Sequence, residues 1–303
     1  MDILLALVAA AAYGAADFSA GLASRRSPAL TVTFLSQLTG LVMFGIAMVL
    51  IREQPTVSAV GWGAAAGAVV ALSIFAYYRA LALGSMGIVA TITAIWSAVV
   101  PFALGLALGE RPSSMAVIGI FCVIVAVGIM SHGPERIVVA GDRKPGKAGQ
   151  ASVLFLAGHL RGILKTHGLI GATLAGIGFG LLGILMKQAS MHGNIIWPVF
   201  AASIAAVVIT GPMVAATSSP LTFNRHNLPH ILSAGVLQSL GVLTFLLAIQ
   251  ESLVSIIAVI VALSPAPTMF LARFFLNESM TRAQLAGVAL ALAGIVIITA
   301  QQT

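Results

Sequence analysis

Ten apolar runs, bounded by charged, Pro or Asn residues, limit this chain more than any motif in it. They lie at roughly residues 3 to 23, 29 to 51, 58 to 82, 86 to 108, 113 to 131, 167 to 189, 194 to 216, 228 to 250, 253 to 275 and 282 to 300. A bilayer core about 30 Å thick takes about 20 apolar residues per helical crossing, and only helices or closed barrels satisfy every backbone polar group in lipid. The runs are too long for barrel strands, so the chain reads as an all-α membrane protein. Composition points the same way: 59% of the 303 residues are hydrophobic and 8% are charged, against about 25% charged in a soluble domain.

The net charge of +7 belongs to the basic loops of a membrane protein rather than to a nucleic-acid surface. The one cysteine, Cys122, sits in an apolar run and excludes an intrachain disulfide. The opening MDILLALVAAAAYGAADF carries Asp2 in place of a basic n-region, which favours a retained first span over a cleaved signal peptide.

Most joins are short. The exception, residues 132 to 166, holds Glu135, Arg136, Asp142, Arg143, Lys144, Lys147, Arg161 and Lys165 and reads as a hydrophilic linker between two five-helix halves, 1 to 131 and 167 to 303. Shifting the chain by 168 lays residues 75 to 130 on 243 to 298 without a gap, and the informative matches are Glu110 with Glu278 and Gly119 with Gly287. Five spans per half make the second copy enter the membrane from the opposite side, an inverted repeat of the kind common in secondary transporters. Of the 15 Lys and Arg, three fall on the side carrying the termini and twelve on the other, so the positive-inside rule places the termini outside and the linker in the cytoplasm.

The order and spacing of Tyr13-Gly14, ALALG at 80 to 84, LGER at 108 to 111 with Gly119, Phe179-Gly180, Pro265, LNES at 276 to 279 and Gly287 resemble the EamA family of the drug/metabolite transporter superfamily over nearly the whole chain. The resemblance implies ten helices around a central substrate path, alternating access, and substrates such as amino acids, metabolites or drugs. Ser97 stands where the family pattern has the proline matching Pro265, and Asn277 replaces the glycine before Glu278.

Asp17 lies roughly 6 Å from the middle of its span at 1.5 Å per residue. A carboxylate at that depth is costly, faces the bundle interior or water, and usually has a partner. The nearest cation in depth is Arg79, so a structural ion pair and a proton or substrate site are both open. In the second half, Lys187 and Glu251 read as interfacial snorkelling residues. Helix breakers at corresponding places in two repeats point to a binding site, which directs attention to Pro101 beside Trp96 and Ser97, and to Pro265 and Pro267 beside Ser264. Each proline serves equally well as a mere kink. Tyr13, Tyr77, Tyr78, Phe179 and Trp197 are candidates for a cavity wall or an interfacial belt, and Gln37 and Gln238 for hydrogen bonding between helices. Glu110 and Glu278 close their spans, where capping or a local ion pair is the expected role.

Two decoys fail. RIVVAGDRKPGKA at 136 to 148 contains G-x-x-x-x-G-K, but Ala148 takes the place of the Ser or Thr that a P-loop needs. His226 and His230 are four apart, with Pro229 between them and no third ligand near. No HExxH, GxSxG or close pair of acids within spans is present. The chain therefore reads as a multi-pass cell-membrane transporter of small metabolites or drug-like solutes, working by alternating access, with proton coupling left open. The lipid bilayer and the solute are its expected partners, in a monomer or homodimer with no nucleic acid, metal or cofactor. A structural membrane protein or an intramembrane enzyme is the alternative.

Overall fold

A computed structural model describes residues 1–24, 26–51, 54–83, 86–130, 150–191, 195–216, 225–276 and 281–299. Eleven α-helices and no strand occur among them: α1 (Asp2–Ser24), α2 (Ala29–Ile51), α3 (Val57–Leu83), α4 (Met86–Ala107), α5 (Ser114–Met130), α6 (Gln150–Ser190), α7 (Ile196–Ala215), α8 (Leu228–Glu251), α9 (Val254–Val261), α10 (Pro265–Leu276) and α11 (Arg282–Thr299). Seven spans among the described residues are long and apolar enough to cross a membrane, with α9 and α10 together forming one of them. Three shorter apolar segments, 92–107, 114–129 and 282–298, accompany them.

Two boundaries differ from the sequence reading. Helix α6 starts at Gln150, inside the stretch read as linker, because residues 150 to 166 contain no proline and are rich in Ala and Leu, which propagate a helix. The run at 253 to 275 is two helices, interrupted at residues 262 to 264.

Packing joins distant parts of the chain. Helix α1 lies along α8 and against α9 and α10; α3 lies along α6 and α7; α2 bridges α7 and α8; α4 rests on α6 and α9; α5 pairs with α11. Close approach depends on small residues, as expected where helices meet in lipid: Gly119 of α5 faces the Gly294 carbonyl of α11, where a Cβ would lie only 2.7 Å away. The outer faces keep Val49, Val208 and Val296 each more than 60% exposed, a surface suited to lipid and a liability in water.

Buried apolar residues form two clusters. One contains Ala6, Ala9, Phe44, Leu182, Phe245 and the α9 residues Val254 and Ile256 to Ile260. The other contains Ala20, Ala23, Val32, Tyr77, Tyr78, Ala175 and Ala234. Tyr13 packs on the first cluster and Phe179 on the second, while Asp17 of α1, Gln37 of α2 and Gln238 of α8 fall along their helices between members of the two.

Candidate functional site

Tyr13 and Asp17 are one turn apart and share a face of α1. Opposite Tyr13 stands Gly241 of α8, whose missing side chain makes room for the ring: a Cβ there would lie 2.9 Å from two ring carbons. Asp17 is half-buried, and Tyr77 and Tyr78 of α3 are buried in the second apolar cluster. The Tyr77 ring lies 5.9 Å from that of Tyr78 and meets Phe179 of α6 edge-on at 5.9 Å. On α2, the Ser36 hydroxyl donates to the Thr33 carbonyl at 2.9 Å.

Arg79 is not the partner of Asp17 in this structure. It is exposed, and the ion pairs found among the described residues are Met1 with Asp2 and Lys187 with Glu110. Helical geometry explains the miss: Tyr77 and Tyr78 face inward, and Arg79 is turned about 200° and 100° from them at 3.6 residues per turn. Depth was legible in the sequence, but azimuth was not.

The two proline sites differ. Before Pro265 the backbone tightens to three-residue spacing, with Leu263 N–H donating to the Ile260 carbonyl at 3.1 Å, Ser264 to Val261 at 3.0 Å and Ala266 to Leu263 at 2.9 Å. Pro265 and Pro267 lack the N–H groups that would reach Val261 and Leu263, so regular spacing cannot continue. Gly14 of α1 sits directly on this break, where a Cβ would lie 2.8 Å from Pro267 Cβ and closer still to the Ser264 carbonyl. Thr268, which sequence reasoning missed, donates its hydroxyl to the Gly14 carbonyl at 2.8 Å and the Ser264 carbonyl at 3.0 Å. Its only signal was a hydroxyl one turn after Ser264.

Pro101, by contrast, does not break α4, which runs unbroken from Met86 to Ala107. It is buried and packs on Gly180 of α6, where a Cβ would lie 2.6 Å from Val100 Cβ and 3.0 Å from Pro101 Cδ. Ser97 turns its hydroxyl back to the Ala94 carbonyl at 2.9 Å, and Trp96 is exposed. Gln37 and Gln238 are half-buried, and the Gln37 Nε2 has no hydrogen-bond partner.

Glu110, in the α4–α5 join, accepts hydrogen bonds from Lys187 Nζ at 3.0 Å and from the Val254 and Ser255 N–H groups at 3.0 and 3.1 Å. It caps α9 from the other half of the chain, where a helix N-terminus favours an anion. Lys187 is thus engaged across the halves instead of snorkelling. Burial pushes the Glu110 carboxyl up, but the hydrogen bonds from Ser255 and Lys187 outweigh it and hold the group below its ordinary range. Glu278 and the Glu251 side chain lie outside the described residues.

Comparison with known proteins agrees with this architecture. A solved structure described only as the crystal structure of a protein superposes with a TM-score of 0.73 at 16% identity, covering 99% of this chain and 96% of that one. No curated protein matches the sequence. The EamA-like transporter family matches residues 1–132 and 166–300. With nearly the whole sequence matched and apolar spans throughout, the chain belongs to the EamA-like transporter family of the drug/metabolite transporter superfamily.

Proposed function

We propose that this protein is a secondary transporter that moves a small metabolite or drug-like solute across the cell membrane by alternating access, with Asp17 as the charge that couples the solute or a proton to the conformational change. One observation carries the reading: a half-buried carboxylate, one turn from Tyr13, stands on α1 between residues of two clusters of buried apolar side chains. A charge there is costly to leave bare. States in which a proton or cation accompanies it are favoured, and a ligand that prefers one state shifts the population towards it.

The reading takes ten spans as two inverted five-helix halves, 1–131 and 167–303. Packing supports it. Exchanging α1 with α6, α2 with α7, α3 with α8, α4 with α9–α10 and α5 with α11 turns α1 on α8 into α6 on α3, α3 on α7 into α8 on α2, and α4 on α6 into α9–α10 on α1, all of them packed pairs. The two stretches matched by the family fall on the same halves.

Asp17→Asn tests the proposal. The variant is nearly isosteric and should remain folded in the membrane, while uptake into proteoliposomes across a metabolite panel, or its pH dependence, disappears. Wild-type uptake with an unchanged pH profile would remove Asp17 from the mechanism.

A further inference from the structure

Resting on the alternating-access reading, we infer that Glu110 is a latch: it closes the end of the bundle where α1 begins by clamping α6 and α9 to α4, and its release opens that end. Three contacts converge on the carboxylate, from Lys187 Nζ of α6 at 3.0 Å and from the Val254 and Ser255 N–H groups of α9 at 3.0 and 3.1 Å. All three come from the other half of the chain. Among the described residues this is the ion pair that joins distant segments, since the other, Met1 with Asp2, is local. The clamp stands beside the first apolar cluster, which holds Val254 together with Ala6 and Ala9 of α1 and Leu182 and Met186 of α6.

The local backbone is shaped to present this carboxylate. Gly109 takes a left-handed φ of 94°, which turns the chain back under α4, and the Glu110 N–H donates to the Gly105 carbonyl at 2.8 Å. Gly105 leaves room for the carboxylate, because a Cβ there would lie 2.5 Å from Glu110 Oε2. On the receiving side, α9 follows Ser252 and Leu253 in extended backbone. Its first-turn N–H groups therefore lack intrahelical partners, and Glu110 supplies an acceptor.

The clamp is also built to part. Lys187 keeps 36% of its side-chain surface and Glu110 11%, and an ion pair in contact with water costs little to separate. Ser255 Oγ is sealed without a hydrogen-bond partner, a cost of the closed state that opening relieves. The tie at the far end of α8 has the opposite character: Asn227 Nδ2 donates to Ser27 Oγ at 3.1 Å, and both residues are neutral and buried. Asn227 precedes α8, and α9 follows its other end, so the two ties are separated by the helix length, about 36 Å. A permanent tie gains from being neutral and dry, whereas a charged, wetted clamp suits repeated release.

The test uses the full-length protein in nanodiscs with Cys122→Ala and a single reporter, Ala9→Cys or Ala20→Cys, at two buried positions of α1 about 16 Å apart. Ala9 belongs to the cluster beside the clamp and Ala20 to the other. Reaction with a charged methanethiosulfonate reads water access. Glu110→Ala should speed labelling of Ala9→Cys about tenfold or more without speeding that of Ala20→Cys, because losing a contact made only in the closed state shifts the population towards the open one. If Glu110→Ala does not accumulate folded, Glu110→Gln, which keeps the shape and loses the charge, is read the same way. Faster labelling at both positions would make Glu110 a general stabiliser, and unchanged labelling of Ala9→Cys a passive one; either result overturns the latch. Labelling needs no solute. If it responds as expected while proteoliposomes take up nothing, the latch stands and the transporter reading falls. If solute is transported while labelling of Ala9→Cys is unchanged, the transporter reading stands and the latch falls.

Discussion

Helix α4 and the α9–α10 pair, counterparts in the proposed repeat, differ in one respect: one runs straight through its proline and the other is interrupted. In the register that aligns Glu110 with Glu278, Ser97 of α4 stands opposite Pro265. Serine keeps its N–H for the Thr93 carbonyl and returns its hydroxyl to Ala94. Pro265 and Pro267 together remove two donors within one turn, whereas Pro101 removes one. A glycine crosses each site, Gly14 over the break and Gly180 over Pro101. The lesson is that two closely spaced prolines interrupt a helix where one, with serine in place of the other, leaves it continuous. Burial follows the break as well: Val254 to Ile260 of α9 are all buried, and no residue of α10 is.

The largest expected effect comes from making α4 resemble its counterpart. Ser97→Pro should destabilise the protein by about 3 kcal/mol, through the lost hydrogen bond and the ring's clash with the Thr93 carbonyl. A loss below about 1 kcal/mol in Tm or denaturant measurements would mean that α4 already yields as easily as α9–α10. Next, Gly14→Ala should cost about 2 kcal/mol by overpacking, and more than Gly180→Ala. The first new methyl meets the backbone carbonyl of Ser264, while the second meets the side chains of Val100 and Pro101. Equal losses would show that the two crossings are equally compliant.

Smaller effects probe how the broken helix is held. Glu110→Gln should cost about 1 kcal/mol, from the weakened cap and ion pair at α9. Because the Glu110 carboxyl is held below its ordinary 4.5, its contribution is complete above that value. It is lost as pH falls through the lower folded value, so the difference between wild type and variant should shrink on acidification. A difference that grows at low pH would contradict the assignment. Thr268→Val removes the hydroxyl that ties α10 to the Gly14 carbonyl and should cost about 0.5 to 1 kcal/mol. A neutral result in thermal unfolding would leave Gly14 packing as the sole tie between α1 and the break.

Asp17 shows how far the sequence reaches into the site. Its depth follows from counting residues along an apolar run, and its cost from the scarcity of charge in that run. Its neighbours do not follow, because azimuth around α3 separates Tyr77 and Tyr78 from Arg79, and the sequence lists all three as neighbours. Glu110 makes the same point. A carboxylate at a span end was visible, but its contacts with Lys187 and the α9 amides, 77 and 144 residues away, depend on how the halves dock.

What the sequence alone determined is helical and local. Apolar run lengths set an all-α membrane protein, because lipid leaves the backbone no other partners, and Pro265 and Pro267 marked where backbone donors are missing, because that is a covalent property. What tertiary structure decided is which faces meet. Gly14 lies on the break, Tyr13 fills the space opposite Gly241, the tyrosines of α3 turn into the core, and Glu110 caps a helix of the other half. Those choices arise from close approach of small residues between distant segments, a long-range fit that hydrophobic periodicity does not encode when every face of a helix is apolar.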